Sequence, residues 1–220
     1  STLFPYTTLF RSVMTGIIIE GVCASGKSTI MKRLARRDWY VEKQNKIQFG
    51  EYLTERIVEN IGPSVDNRVE LLEGYVDILE KVYYNFYNSR FANTKSERVK
   101  PFFLIERFHM THGLESKDFN PFKDIDNRLA AMDMKLVLLV MDDNVIEKRL
   151  LDTFPRRPKT WENYCLSFGG IKGAVERYRN MQEMLLSFAK LTKLDTIILN
   201  TSQEDWNVYV DIIESHMNLH

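Results

Sequence analysis

Five short apolar runs, separated by longer amphipathic or polar stretches, set the rhythm of this chain. Gly16 to Glu20 is a β-branched run that ends at a glycine-rich turn, which predicts a buried strand feeding a loop and then a helix. From Lys27 to about Arg37, Ile30, Met31 and Leu34 fall on one side with Lys32, Arg33 and Arg36 largely opposite, the pattern of a helix that covers a sheet. Trp39 to Lys43 reads as a second strand, followed by the polar stretch KQNK. From Val65 to about Phe91 the positions Val69, Leu72, Val76, Leu79, Val82, Tyr83 and Phe86 predict a long helix, with Pro63 and Asp66 as start signals. Pro101 to Ile105, Lys135 to Met141 and Thr196 to Leu199 are the remaining strand candidates. Asp142, Asp143 and Asn144 form a helix-capping cluster after the second of these, and a closing helix is expected near Glu204 to His216.

Strands alternating with helices imply parallel βαβ units, hence an α/β fold with helices on both faces of the sheet. The chain shows no internal repeat, low-complexity tract or linker, so residues 14 to 220 are expected to form a single domain. With 44% hydrophobic and 27% charged residues, the 220-residue composition is that of a globular protein. Thirty basic and thirty acidic residues cancel, so nothing global draws the chain to nucleic acid or to a membrane, and any anion site must be local. No apolar run reaches the roughly 18 residues of a transmembrane helix. Cys23 and Cys165 are too few for a disulfide framework and read as reduced thiols of a cytoplasmic protein. Residues 1 to 12, STLFPYTTLFRS, look like a translated sequencing adapter; residues 1 to 13 are therefore set aside, with Met14 as the expected natural start.

The chemistry concentrates in one segment. Gly21, Val22, Cys23, Ala24, Ser25, Gly26, Lys27 and Ser28, followed by Thr29, satisfy the pattern G-x-x-x-x-G-K-[ST] immediately after a predicted strand and at the head of a predicted helix. Glycines let the backbone wrap around a phosphate so that its N–H groups and the helix N-terminus point inward. Lys27 adds a charge able to follow the β- and γ-phosphates, and the Ser28 hydroxyl is a hard oxygen ligand for magnesium. ATP and Mg2+ are the expected cofactors. Cys23 is either a small filler or a thiol nucleophile, and no signature of the latter surrounds it.

This loop, a strand ending in Glu106 and Arg107, and an arginine-rich segment after the next strand and helix resemble the thymidylate kinase and deoxynucleoside kinase superfamily, over most of residues 14 to 217. The resemblance implies a five-stranded parallel sheet of order 2-3-1-4-5, helices on both faces and a lid over the donor phosphates, at about residues 153 to 170. It implies that Glu106 makes a magnesium-water contact, so that Ser28 and Glu106 serve the metal, and that Arg107 meets the phosphate or hydroxyl end of the acceptor. The lid maps onto Arg149, Arg156 and Arg157, with Pro155 and Pro158 interrupting any continuous helix. Glu42 is the positional counterpart of the family carboxylate, at the end of strand two, that takes the proton of a 5′-hydroxyl. Lookalikes commonly dimerise through the long helix, so a homodimer is possible here.

Several residues keep two readings. Glu106 and Arg107 would otherwise be a charged pair closing a strand, and the lid arginines solvated charges. Where family members continue the strand-three motif with a serine, this chain reads Phe108, His109, Met110, Thr111 and His112, which leaves the acceptor open. Phe108 stacks on a base or packs under the sheet. His109 and His112 share a helical face and are read as polar lining or surface residues, a metal pair being the alternative. Tyr83, Tyr84, Phe86, Tyr87 and Phe91 belong to the core or to a base pocket. The leading expectation is an ATP-dependent kinase of a nucleoside or nucleoside monophosphate; the alternatives are a kinase of another small hydroxyl-bearing molecule and a nucleotide-binding regulatory module.

Overall fold

Ile17, Ile18 and Ile19 lie fully buried in strand β1 (Gly16–Gly21), and because successive side chains point to opposite faces they divide the core in two. The computed structural model describes residues 14 to 219; the adapter-like extension lies outside the described residues. β1 feeds the phosphate loop and α1 (Lys27–Leu34), followed by α2 (Asp38–Val41), β2 (Lys46–Phe49), the short α3 (Glu51–Thr54) and α4 (Val58–Ile61), and the long α5 (Val65–Tyr87). Next come β3 (Phe102–Glu106), α6 (His109–Ser116), α7 (Lys123–Ala131), β4 (Met134–Val140) and α8 (Asp143–Thr153). A 3₁₀ turn at Phe154–Arg156, α9 (Lys159–Leu166), α10 (Gly170–Phe188), β5 (Asp195–Asn200) and α11 (Trp206–Met217) complete the order.

The five strands pair in parallel in the order β2-β3-β1-β4-β5, as the sequence resemblance implied. Ile18, Phe103, Ile105, Leu136 and Leu138 pack on one face against residues of α5, α6, α7 and α10. Ile17, Ile19, Leu104, Val137 and Leu139 pack on the other against α1 and α11. All strand C-terminal ends therefore open on the same edge, beside the turn between β1 and α1, which is where ligands bind in open α/β sheets. No described helix is long and apolar enough to cross a membrane.

The second strand differs from expectation. Trp39 and Tyr40 sit in α2 rather than a strand, edge-on to each other and to Phe102, with centroids 5.1 to 6.0 Å apart. The strand starts at Lys46, registered on Phe102, and its alternating exposed and half-buried residues are those of an edge strand that tolerates polar side chains. Glu42 consequently caps α2, exposed, with Arg98 3.6 Å away, and does not close strand two. The first and long helices end earlier than expected, at Leu34 and Tyr87.

Candidate active site

The turn after β1 is shaped by three residues with positive φ, Gly21 (145°), Ala24 (65°) and Gly26 (96°), which curl the backbone before α1 begins. Gly26 is needed twice over, because a β-carbon there would lie 2.2 Å from the ring of Trp206. Lys27 is almost fully buried and folds its ammonium onto the Val22 carbonyl at 2.7 Å. Burial, aided by the neighbouring Arg107 charge, lowers its pKa from 10.5 to about 8.

Ser28 donates its hydroxyl to Glu106 Oε1 at 2.7 Å, so the end of β3 meets the start of α1. A hydroxyl beside a carboxylate is a hard-oxygen donor set suited to magnesium, whose other positions phosphate oxygens and water fill; the pair fits such an ion. The next residue, Arg107, takes a left-handed backbone (φ 55°), a conformation costing roughly 1–2 kcal/mol for a side chain of this kind. Glu20, fully buried at the end of β1, offsets that cost by accepting from Phe108 N (2.7 Å), Thr111 N (3.3 Å) and Thr111 Oγ1 (2.5 Å).

The Arg107 side chain turns towards α3, with Nε 3.1 Å from Glu51 and 3.3 Å from Glu55. Burial works against its charge, but Glu55, Cys23, Glu51 and Glu106 outweigh it and hold the guanidinium protonated. The residue that follows β2 and faces the site is thus Glu51, nine positions after Glu42.

Two cavities meet at this point. One, about 270 Å³, lies over Gly26, Lys27 and Ser28 and is bounded by Arg149, Arg156 and Trp206. The other, about 400 Å³, has Gly21, Val22 and Cys23 on its floor and Trp161, Tyr164 and Tyr178 on its walls. Arg107 and Arg157 line both. Arg156 is exposed, Arg157 lies over the Trp161 ring at 4.6 Å, and Pro158 caps α9, so the prolines do interrupt the helix. Arg149 is buried with its guanidinium 5.0 Å from the Trp206 ring centroid, bonded to the Thr201 carbonyl and ion-paired with Glu204.

Other candidates fall elsewhere. Phe108 is fully buried in the core, so it packs rather than stacks on a ligand, and Cys23 joins the same cluster as a filler. His109 and His112 are not surface residues: both are fully buried, the first 3.0 Å from Asp126 and the second 2.7 Å from the Thr54 carbonyl. Among the described residues no group of three or more potential metal ligands forms. Tyr83, Tyr84, Phe86 and Tyr87 pack on one another, Phe91 is exposed past the helix end, and none of the five borders either cavity. The cavity aromatics come from α9 and α10 instead. The spacing of Ala174, Val175, Tyr178, Leu185 and Phe188 is the signal that would have revealed α10, and Glu51 and Glu55 required only the correct start of β2.

A scan against protein-family models finds no match, and a search of curated proteins finds none either. Among solved structures the chain is similar to the YorR protein of Bacillus subtilis, crystallised in complex with phosphorylated GDP, at 20% identity and a TM-score of 0.53 over 93% of this chain and 96% of that one. It is also similar to the NadR protein in complex with NR, at 16% identity and a TM-score of 0.50 over 94% of this chain. The chain spans about half the length of that NadR chain, 52%. At these identities the likeness is one of fold.

Proposed function

We propose that this chain is an ATP- and magnesium-dependent phosphotransferase of the thymidylate kinase and deoxynucleoside kinase type, acting on a nucleoside or nucleoside monophosphate. The single observation that carries the reading is the meeting of a phosphate-loop cavity and an aromatic-walled cavity at Arg107 and Arg157. A triphosphate fits the first, with its γ-phosphate against Lys27, and a flat base fits the second between aromatic side chains. The phosphorylated GDP bound by YorR is a ligand of the same chemical kind. Residues 14 to 220 act as one kinase domain, with a lid at about residues 153 to 170 that brings Arg156 and Arg157 over the donor.

In this reading Ser28 and Glu106 hold the magnesium ion, which when bound neutralises the β- and γ-phosphate oxygens. The acceptor oxygen attacks the γ-phosphorus, the bond to the β,γ-bridging oxygen breaks, and ADP leaves. Lys27 and the lid arginines balance the charge that spreads over the transferring group, while Arg107 holds Glu51 beside the acceptor. The two carboxylates on Arg107 favour a hydroxyl acceptor, because a phosphate dianion there would meet an arginine already neutralised by Glu51 and Glu55. Glu51 takes the hydroxyl proton, the task that the family resemblance assigned to Glu42.

An acceptor screen that follows ADP release tests the proposal. Nucleosides are expected to stimulate release; ATP binding without stimulation by any acceptor points to a regulatory module, and stimulation only by hydroxyl compounds lacking a base points to another small-molecule kinase.

The lowered Lys27 pKa yields a further expectation. In the free protein the ammonium is half deprotonated near pH 8, and a bound triphosphate favours the charged form, so nucleotide binding takes up a proton above that pH and weakens as pH rises. Calorimetry at about pH 8.5 in buffers of different ionisation heat reads the uptake; it should vanish in Lys27→Met, and buffer-independent heats in the unsubstituted protein would rule it out.

A further inference from the structure

The two carboxylates beside Arg107 are carried by, or directly follow, a turn of helix that cannot hold itself in place. α3 has four residues, far short of the length at which a helix is stable alone, and the last carbonyls of any helix need outside partners. Here those partners are side chains from other elements. Tyr75, on α5, donates its hydroxyl to the Leu53 carbonyl at 3.0 Å. His112, on α6, has Nε2 2.7 Å from the Thr54 carbonyl. Thr54, fully buried, donates its own hydroxyl to the Glu106 carbonyl at 2.7 Å, which ties the turn to the residue before Arg107.

A carbonyl can only accept, so the hydrogen of His112 resides on Nε2 and Nδ1 is left as an acceptor. Arg68 Nη1 stands 3.5 Å from that Nδ1, and Arg68 Nε is bonded to the Pro63 carbonyl at 3.1 Å. The imidazole is thereby fixed on both sides. It is fully buried and borders neither cavity, so it has no direct contact to offer a substrate.

We infer that His112 is a positioning residue for phosphoryl transfer, which through the Thr54 carbonyl fixes the α3 turn and so sets Glu51 against Arg107. The inference rests on the kinase reading and on Glu51 as its proton acceptor. Misplacing a reacting group by about 1 Å is enough to cost on the order of a hundredfold in rate.

The test compares His112→Leu, which loses the donor, with His112→Gln, whose amide can still give a hydrogen to Thr54. With a nucleoside acceptor, kcat is expected to fall by about 10- to 100-fold in His112→Leu and to recover most of the loss in His112→Gln. ATP affinity is expected to stay within about twofold, because the phosphate loop is not touched. Combining His112→Leu with Glu51→Gln should give little loss beyond that of Glu51→Gln alone, a dependence that mere destabilisation would not create. Should His112→Leu not fold, Tyr75→Phe releases the neighbouring carbonyl from the partly exposed side and is expected to lower kcat in the same direction. Unchanged kcat in the folded variants, an equal loss of ATP affinity, or losses that multiply with Glu51→Gln would overturn the inference while leaving the kinase reading intact. A protein that turns over no acceptor at all would remove both.

Discussion

Lys27→Ala is expected to lower acceptor-dependent ADP formation by roughly a thousandfold, about 4 kcal/mol of lost transition-state stabilisation, while the protein stays folded. The size follows from what the residue would neutralise: a charge that grows on the transferring group inside a confined site, where one missing partner is not replaced by water. The folding part of the expectation follows from its burial. Lys27 carries its charge against a desolvation penalty, as its lowered pKa reflects, and among the described residues gives back one hydrogen bond, to Val22. Removing the ammonium relieves the one and forfeits the other, so the melting temperature should move by a few degrees at most. Turnover at the level of the unsubstituted protein, with the fold intact by circular dichroism, would falsify the donor-site assignment.

Glu51→Gln should produce the second large effect, a loss of about 10²- to 10⁴-fold in kcat with a hydroxyl acceptor. The amide keeps the length of the side chain and a carbonyl oxygen for Arg107, yet it cannot take a proton. ATP affinity should therefore hardly change. The same substitution discriminates between acceptor types. A monophosphate arrives with its attacking oxygen already ionised and needs no base, so a variant that keeps full activity on monophosphates and is active on nothing else would reassign the acceptor.

The parts of this molecule that were legible in the sequence are those encoded locally. Residues 21 to 29 form a contiguous pattern between a β-branched run and an amphipathic one, and the chemistry of each position can be argued without knowing what packs around it. Glu106 and Arg107 were legible for a similar reason, standing at the end of an apolar run. Glu51 was not, because the aromatic pair Trp39 and Tyr40 imitates strand composition while its burial comes from packing edge-on against Phe102, a contact across some sixty positions. A strand begun seven residues early sends the search for its terminal carboxylate to Glu42. Trp161, Tyr164 and Tyr178 were invisible for a different reason: their meeting over Cys23 is decided by how α9 and α10 fold back on the sheet, not by spacing within either helix. The two histidines show the limit of composition as a guide, since a polar residue is driven to the surface only when no partner awaits it inside, and here Asp126 and Thr54 do.

The turn after β1 is also held from far along the chain. The Thr201 hydroxyl bonds to the Ser25 carbonyl at 2.9 Å, across 176 positions, and the Trp206 ring rests against Gly26. Synthesis runs from the N-terminal side, so the glycine-rich turn is made well before either of these supports. A nascent chain that stops short of Thr201 would carry the complete motif without the props that shape it, so the turn is expected to set only once synthesis has passed Trp206.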